Sequence, residues 1–255
     1  MKKAIYIIIA IIIVWFGVRF FVNESLAPES NIIDNNHELT LSVETKNTSE
    51  SNDEKRYEIN VDLPVVKNLD SSEKVNEFIE EKVNNIVQEF KDNINDWDAP
   101  SDLSDMSSGL WINFETHLLN SDYISFRLVI SEYYLGAAHP NNYSFSLNYN
   151  LKNSSEIKLN DIFNVNQKEY LSRISDLALI DLANQSENLE MSLDPGMLES
   201  GTDAKLENFD NFNLTEDGIA FNFDQYQLAP YAAGEFHVIM PYQKLNDIML
   251  NEFIL

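Results

Sequence analysis

The 255-residue sequence contains no cysteine. That excludes disulfides, thiolate zinc sites, iron–sulfur clusters, a cysteine nucleophile and a cysteine-borne lipid, and it leaves the redox compartment open. Bases are scarce: 17 Lys+Arg stand against 42 Asp+Glu, for a net charge of −25. Three of those bases, Lys2, Lys3 and Arg19, precede Val22 while every acid follows it, so residues 23–255 carry −28. No Lys/Arg cluster exists to hold phosphates, and a nucleic-acid binder is excluded. With only seven glycines there is no phosphate-cradling loop and no nucleophile elbow. The four histidines, His37, His117, His139 and His237, do not pair at the short spacings a metal site uses, so neither metal nor cofactor is expected. What is abundant is apolar matter. At 44% hydrophobic residues the chain can fill packed cores, which a disordered acidic tail cannot.

One apolar run is long. Ala4–Val22 is broken only by Gly17 and Arg19, and as a helix it measures about 28 Å, close to a bilayer's hydrocarbon thickness. Lysines before it and acids after it orient the N-terminus inward. Residues 1–22 are expected to be a single transmembrane anchor at the cytoplasmic membrane, 23–37 a polar tether, and the remainder an ectodomain outside. The alternative is secretion after cleavage near Ser25-Leu26-Ala27, with Pro28 an unfavourable neighbour for that protease.

Beyond the tether, Leu39, Leu41 and Val43, then Tyr57, Ile59, Val61 and Leu63, alternate with polar residues and predict two strands. The polar stretch 46–55 is expected to join them and Pro64 to close the second. Val75, Phe78, Ile79, Val83, Ile86, Val87 and Phe90 form a helical stripe, with Asp70 and Glu73 as a capping pair. Trp111–Leu118 and Tyr123–Tyr134 predict a hairpin, and Tyr143–Tyr149 another strand. Ile157 and Leu159 suggest a short strand, and Tyr170–Leu182 a second helix capped by Asn164 or Asn166. Residues 184–204, broken by Pro195-Gly196, read mostly as loop. Two strands around Asp217-Gly218, a strand Phe236–Met240 and a last helix Tyr242–Leu250 complete the chain. The expected class is α+β, with mostly antiparallel sheets each covered on one face by amphipathic helices and preceded by the transmembrane helix. Residues 38–150 and 151–255 form its two halves.

Two segments suit neither helix nor strand. Residues 133–141 include Gly136, Ala138, His139, Pro140 and Asn141; residues 224–234 include Tyr226, Pro230, Tyr231 and Gly234. Small residues permit close backbone approach, proline lowers the cost of ordering a loop, and tyrosine supplies rigid amphipathic contact area. Mutual packing that closes the domain and ligand binding both fit this composition, and they can coexist. Trp97 and Trp111 offer sugar-stacking surfaces, with burial against the first helix as the alternative.

These segments carry a resemblance. Gly136–Asn141, the strand Tyr143–Tyr149 and Leu159–Phe163 resemble the extracytoplasmic module of the RsiV anti-sigma factor and of PdaC-type peptidoglycan deacetylases. Phe212–Ile219, Phe223–Tyr226 and Ala229–Gly234 are similar to its C-terminal signature, and Tyr57–Val83, with Asn76 in the helix, to its opening. The likeness covers roughly residues 38–250. It implies an exported domain that binds rather than catalyses, and in the RsiV branch the partner is lysozyme. Because only Met1-Lys2-Lys3 precede the apolar run, no cytoplasmic sigma-binding domain is expected. With nothing after Leu255, no deacetylase domain is expected either. The leading expectation is a membrane-tethered, non-catalytic binding module for a cationic, lysozyme-like wall hydrolase. A peptidoglycan or other wall-glycan binder is the alternative, and a wall hydrolase with His139, Asp224 and His237 converging is a third.

Overall fold

Period-2 alternation sorts the strands onto a large sheet with one apolar face and one polar face. In a computed structural model, which describes residues 40–96, 106–188 and 194–255, the strands are β1 (Ser42–Asn52), β2 (Tyr57–Lys67), β3 (Ser108–Leu119), β4 (Tyr123–Tyr133), β5 (Asn141–Asn150) and β6 (Ser155–Glu156). They pair in sequence order; only β2–β3 is parallel, and every other pair is antiparallel. Helix α1 (Ser72–Asp96) covers one face, burying Val75, Ile79, Val83 and Phe90 against Ile59, Val61, Leu110, Ile112, Phe126 and Leu128. The expected anchor (1–22), the tether (23–37), His37 and Trp97 lie outside the described residues. Among the described residues no helix is long and apolar enough to cross a membrane.

A second, antiparallel sheet contains β7 (Phe212–Leu214), β8 (Gly218–Phe223) and β9 (Phe236–Pro241). Its outer face, with Phe212, Leu214, Ile219, Phe221, Phe223, Val238 and Met240, packs under α2 (Gln167–Asn188) through Leu171, Ile174, Ala178 and Leu182. Asn166 caps α2, its Oδ1 accepting from Glu169 N at 3.1 Å. A third helix, α3 (Pro195–Thr202), was not expected. Pro195-Gly196 starts it rather than breaking it: proline suits the first helical turn, and Asp194 caps it by accepting from Met197 N at 2.9 Å. The arrangement is α+β, mostly antiparallel, with three α-helices among the described residues.

Several local expectations are corrected. β1 runs on through the polar stretch to Asn52, because an edge strand held by the β2 ladder needs no buried face. Pro64 does not end β2. The β3 pairing stops at Val61, and Val66 N, on the same side as the ring nitrogen of Pro64, is served by Asn76 Oδ1 at 2.8 Å, so the missing N–H of proline interrupts no ladder. Asp70 and Glu73 form no capping pair; Ser72 N and Val75 N close the first turn on Leu69 O and Ser71 O. Leu159 lies in a 3-10 turn (Leu159–Asp161), and Tyr242–Leu250 holds only a 3-10 turn, Tyr242–Lys244, although Leu245, Ile248 and Met249 are buried. Gly218 has ordinary φ; glycine is needed there because a Cβ would stand 2.1 Å from Met240 O. A bulge between Thr116 and Leu118 turns Leu118 away from the α1 side and into the α2 core.

The two sheets meet through polar side chains. β7 lies across the β3–β5 region of the large sheet, and the buried facing residues are Ser125, Asn148, Asn213 and Asn222. Asn213 Nδ2 donates to Ser125 Oγ at 2.9 Å and to Phe126 O at 2.8 Å. Asn213 Oδ1 accepts from Asn222 Nδ2 at 2.9 Å. Asn148 accepts from Ser125 Oγ at 2.7 Å and donates to Phe212 O at 2.7 Å. Beside them Arg127, its side chain 4% exposed, joins Glu115 at 3.1 Å and also Glu235 just before β9. A buried amide so used cannot be removed without orphaning its partners. Asn213→Ala is therefore expected to lower unfolding free energy by about 2–3 kcal/mol, measured by denaturant titration.

Candidate functional site

The first loop leaves β4 on a firm stem. Leu135 N donates to Ser108 Oγ at 2.9 Å, and Tyr134 and Tyr143 both donate to Glu132. Burial pushes the Tyr134 phenol up to about 12 and raises Tyr143 further. Gly136, at φ +91°, makes the turn in which Ala137 N reaches Tyr134 O at 2.8 Å. Ala138 and His139 then stand exposed, and His139 Nδ1 lies 2.8 Å from Pro140 O. Asn141 begins β5 opposite Glu132.

The second loop follows β8. Asp224 Oδ1 accepts from both Ser144 N (2.9 Å) and Ser144 Oγ (2.8 Å), tying the loop to β5. Gln227 donates to Gly201 O and Asn208 O, and Leu228 and Ala229 are buried beneath. Pro230 leads into a 3-10 turn, Tyr231–Ala233, closed by Gly234 at φ +78°, a conformation glycine alone adopts without strain.

The loops meet. The His139 ring stacks on Tyr231 with centroids 4.0 Å apart, and Tyr226 lies 5.7 Å from Tyr231 with its hydroxyl 3.3 Å from His139 Nε2. Asn142 Nδ2 donates to Tyr231 Oη at 3.2 Å. The three rings thus form one outward-facing surface, Tyr226 being 54% exposed. Tyr226 also sits at φ +68°, a left-handed conformation costly for any residue with a Cβ. Geometrically His139, Tyr226 and Tyr231 are brought together, with the Pro140 carbonyl on the His139 ring; Gly136, Pro230 and Gly234 shape their supports.

The other expected candidates do not join the ring cluster itself. His237 Nδ1 is 3.0 Å from Asn222 Oδ1 and its Nε2 is 3.4 Å from Glu235, while Asp224 engages Ser144, so His139, Asp224 and His237 each serve different partners. Trp111 does not pack on the helix. Leu110 and Ile112 take that face, and the half-exposed indole lies across Gly109, where a Cβ would stand 2.0 Å from the ring. Asn142 and Asp224, which join the loops, were missed as loop supports because strand-edge polar residues look ordinary in sequence. Among the described residues no group of three or more acidic or histidine side chains is arranged to hold a metal.

Comparison with known proteins bears on this architecture. A family model described as a protein of unknown function, DUF3298, matches residues 160–243, which include the second loop. Peptidoglycan-N-acetylmuramic acid deacetylase PdaC of Bacillus subtilis (strain 168) is 26% identical over 256 residues, covering 99% of this chain and 51% of that protein. The chain carries a module shared with PdaC-type proteins. It spans about half the length of PdaC. Two crystal structures share the DUF3298 fold. One is a DUF3298 family member from Bacteroides fragilis NCTC 9343, with TM-score 0.54 and 17% identity, covering 83% of this chain and 94% of that one. The other is a DUF3298 family protein from Pseudomonas aeruginosa PAO1, with TM-score 0.59 and 15% identity, covering 85% and 97%.

Two expected outcomes follow from the loop geometry. Tyr226→Gly relieves the left-handed backbone whereas Tyr226→Ala does not, so thermal or denaturant unfolding should rank the glycine variant about 1 kcal/mol more stable than the alanine variant. Burial raises the Asp224 carboxyl despite its two bonds from Ser144. Its ionisation therefore costs the folded state stability as pH rises from the ordinary carboxylate value, about 3.9, through the raised one. Asp224→Asn keeps an acceptor oxygen and carries no charge. Unfolding midpoints measured against pH should lose that decline, and stability at neutral pH should not fall.

Proposed function

We propose that this chain is a membrane-tethered, extracytoplasmic and non-catalytic binding module whose paired loops dock a cationic protein, a lysozyme-like wall hydrolase being the first candidate. The observation that carries the reading is the exposed stack of His139, Tyr231 and Tyr226, held by Asn142, Asp224 and two positive-φ glycines. Aromatic groups fixed in advance lose little entropy on binding, and such residues dominate interface energetics. The net charge of −25 favours a basic partner and would speed encounter in a salt-sensitive way.

Calorimetry of the full chain with hen-type lysozymes, at low and moderate salt, tests this. Binding should weaken as salt rises and fall about tenfold or more in His139→Ala and Tyr231→Ala. Absence of heat at both salt concentrations contradicts the proposal. A second reading, recognition of wall glycan, is supported by the peptidoglycan-directed name of PdaC and by the half-exposed Trp111 on the polar sheet face. Co-sedimentation with purified sacculi in the absence of any protein partner separates the two.

A further inference from the structure

The outer edge of β5 is left partly open. β4 pairs along its whole length, but β6 covers only Tyr149 and Asn150. In an antiparallel ladder the outward N–H and C=O recur at every second residue. Ser144 turns outward, its N–H donating to Asp224 and its carbonyl accepting from Asn211 Nδ2 at 3.2 Å. Asn148 does the same, its carbonyl accepting from Ile157 N at 2.8 Å. Ser146, midway between them, must present its N–H and C=O on that edge, and neither has a partner among the described residues. Its hydroxyl is already committed inward to Asn211 and Asn213.

A cleft of about 460 Å³ runs along this gap, within the range of small-ligand sites. Phe145, 38% exposed, forms part of its wall, as do Glu207, Asp210 and Asp224; Glu156, also in the lining, is paired with Lys82 from outside it, and Lys158 is the single base that lines the cleft. We propose that the cleft captures a short extended peptide bearing a basic side chain, one residue of which exchanges both backbone hydrogen bonds with Ser146. One amino-acid residue offers the N–H and C=O on the same side that an antiparallel bridge requires. The acidic lining selects a cation, and the bridged residue's side chain lies on the Ser146 face, beside Asn211 and its neighbour Asp210 and opposite the face that carries Phe145. Ser144 to Asn148 is about 13 Å of strand, so about three residues fit before Asp224 and Asn211 at one end and Ile157 at the other close the edge. The site is separate from the stacked loop rings, and its occupant need not be the partner that docks there.

The test is an NMR titration of the isotope-labelled full chain with acetyl-Ala-Lys-Ala-amide. Controls are the Glu analogue, the Lys peptide N-methylated at its central residue, and N,N′-diacetylchitobiose. The Ser146 amide resonance should shift with the Lys peptide, about tenfold more tightly than with the Glu peptide, and the N-methylated peptide should fail. Glu207→Gln and Asp210→Asn, both at solvent-exposed positions, should each weaken the Lys peptide, while His139→Ala should leave it unchanged. No shift at Ser146, equal binding of the N-methylated peptide, or shifts only with the disaccharide would each overturn the proposal; the last would assign the cleft to sugar.

Discussion

Where β7 crosses the large sheet the two sheets are joined by side-chain amides, with apolar contact added by Leu118 and Tyr123 in the α2 core, and the rest of the architecture depends on that junction. Each sheet spends its apolar face on a helix, β2–β5 against α1 and β7–β9 against α2. The faces left over are polar and must still be buried where they cross. Asn148, Asn213 and Asn222 accomplish this by meeting backbone and side-chain partners on both sheets. An amide offers two donors and two acceptor positions in fixed directions, so a satisfied network of them tolerates one register and penalises every other. Apolar side chains would have permitted sliding. The loops following β4 and β8 then face each other because the strands that carry them are locked.

The same polar layer extends into the functional surface. Asn211 and Asp224 continue the line of amides and carboxylates along β5, bonding Ser144 and so fixing the root of the second loop. Above them the chain changes from polar satisfaction to exposed aromatic stacking at His139, Tyr226 and Tyr231. Arg127, almost fully buried, holds Glu235 and with it the return of the second loop into β9. Strain at Tyr226 persists because both sides of its turn are anchored, Asp224 on Ser144 and Gln227 on Gly201 and Asn208.

Much of this was legible in the sequence. Alternation located the cores of most strands, and 3.6-residue periodicity located α1 and the centre of α2, because one-sided burial imposes those periods. The continuation of β1 through residues 46–52 escaped because an edge strand with exposed side chains has no period to show. Helix α3 escaped because Pro-Gly was read as an interruption when Asp194 before it made the proline a start. The composition of the two loops singled out His139, Tyr226 and Tyr231, but not the reason they meet. Asparagine and serine within strands look like solvent-facing residues until a second sheet is laid on them, and nothing local announces that sheet.

Native-state hydrogen exchange of the full chain tests the junction most directly. The Leu214 amide, held by Asn148 Oδ1, and the Ser144 amide, held by Asp224, bridge the sheets without belonging to either ladder. If the amide layer locks the sheets, both should exchange only with the opening of the β4 core, at Phe126 and Leu128. Rapid exchange at Leu214 and Ser144 while those core amides stay protected would mean that the sheets part freely, and the account would be wrong.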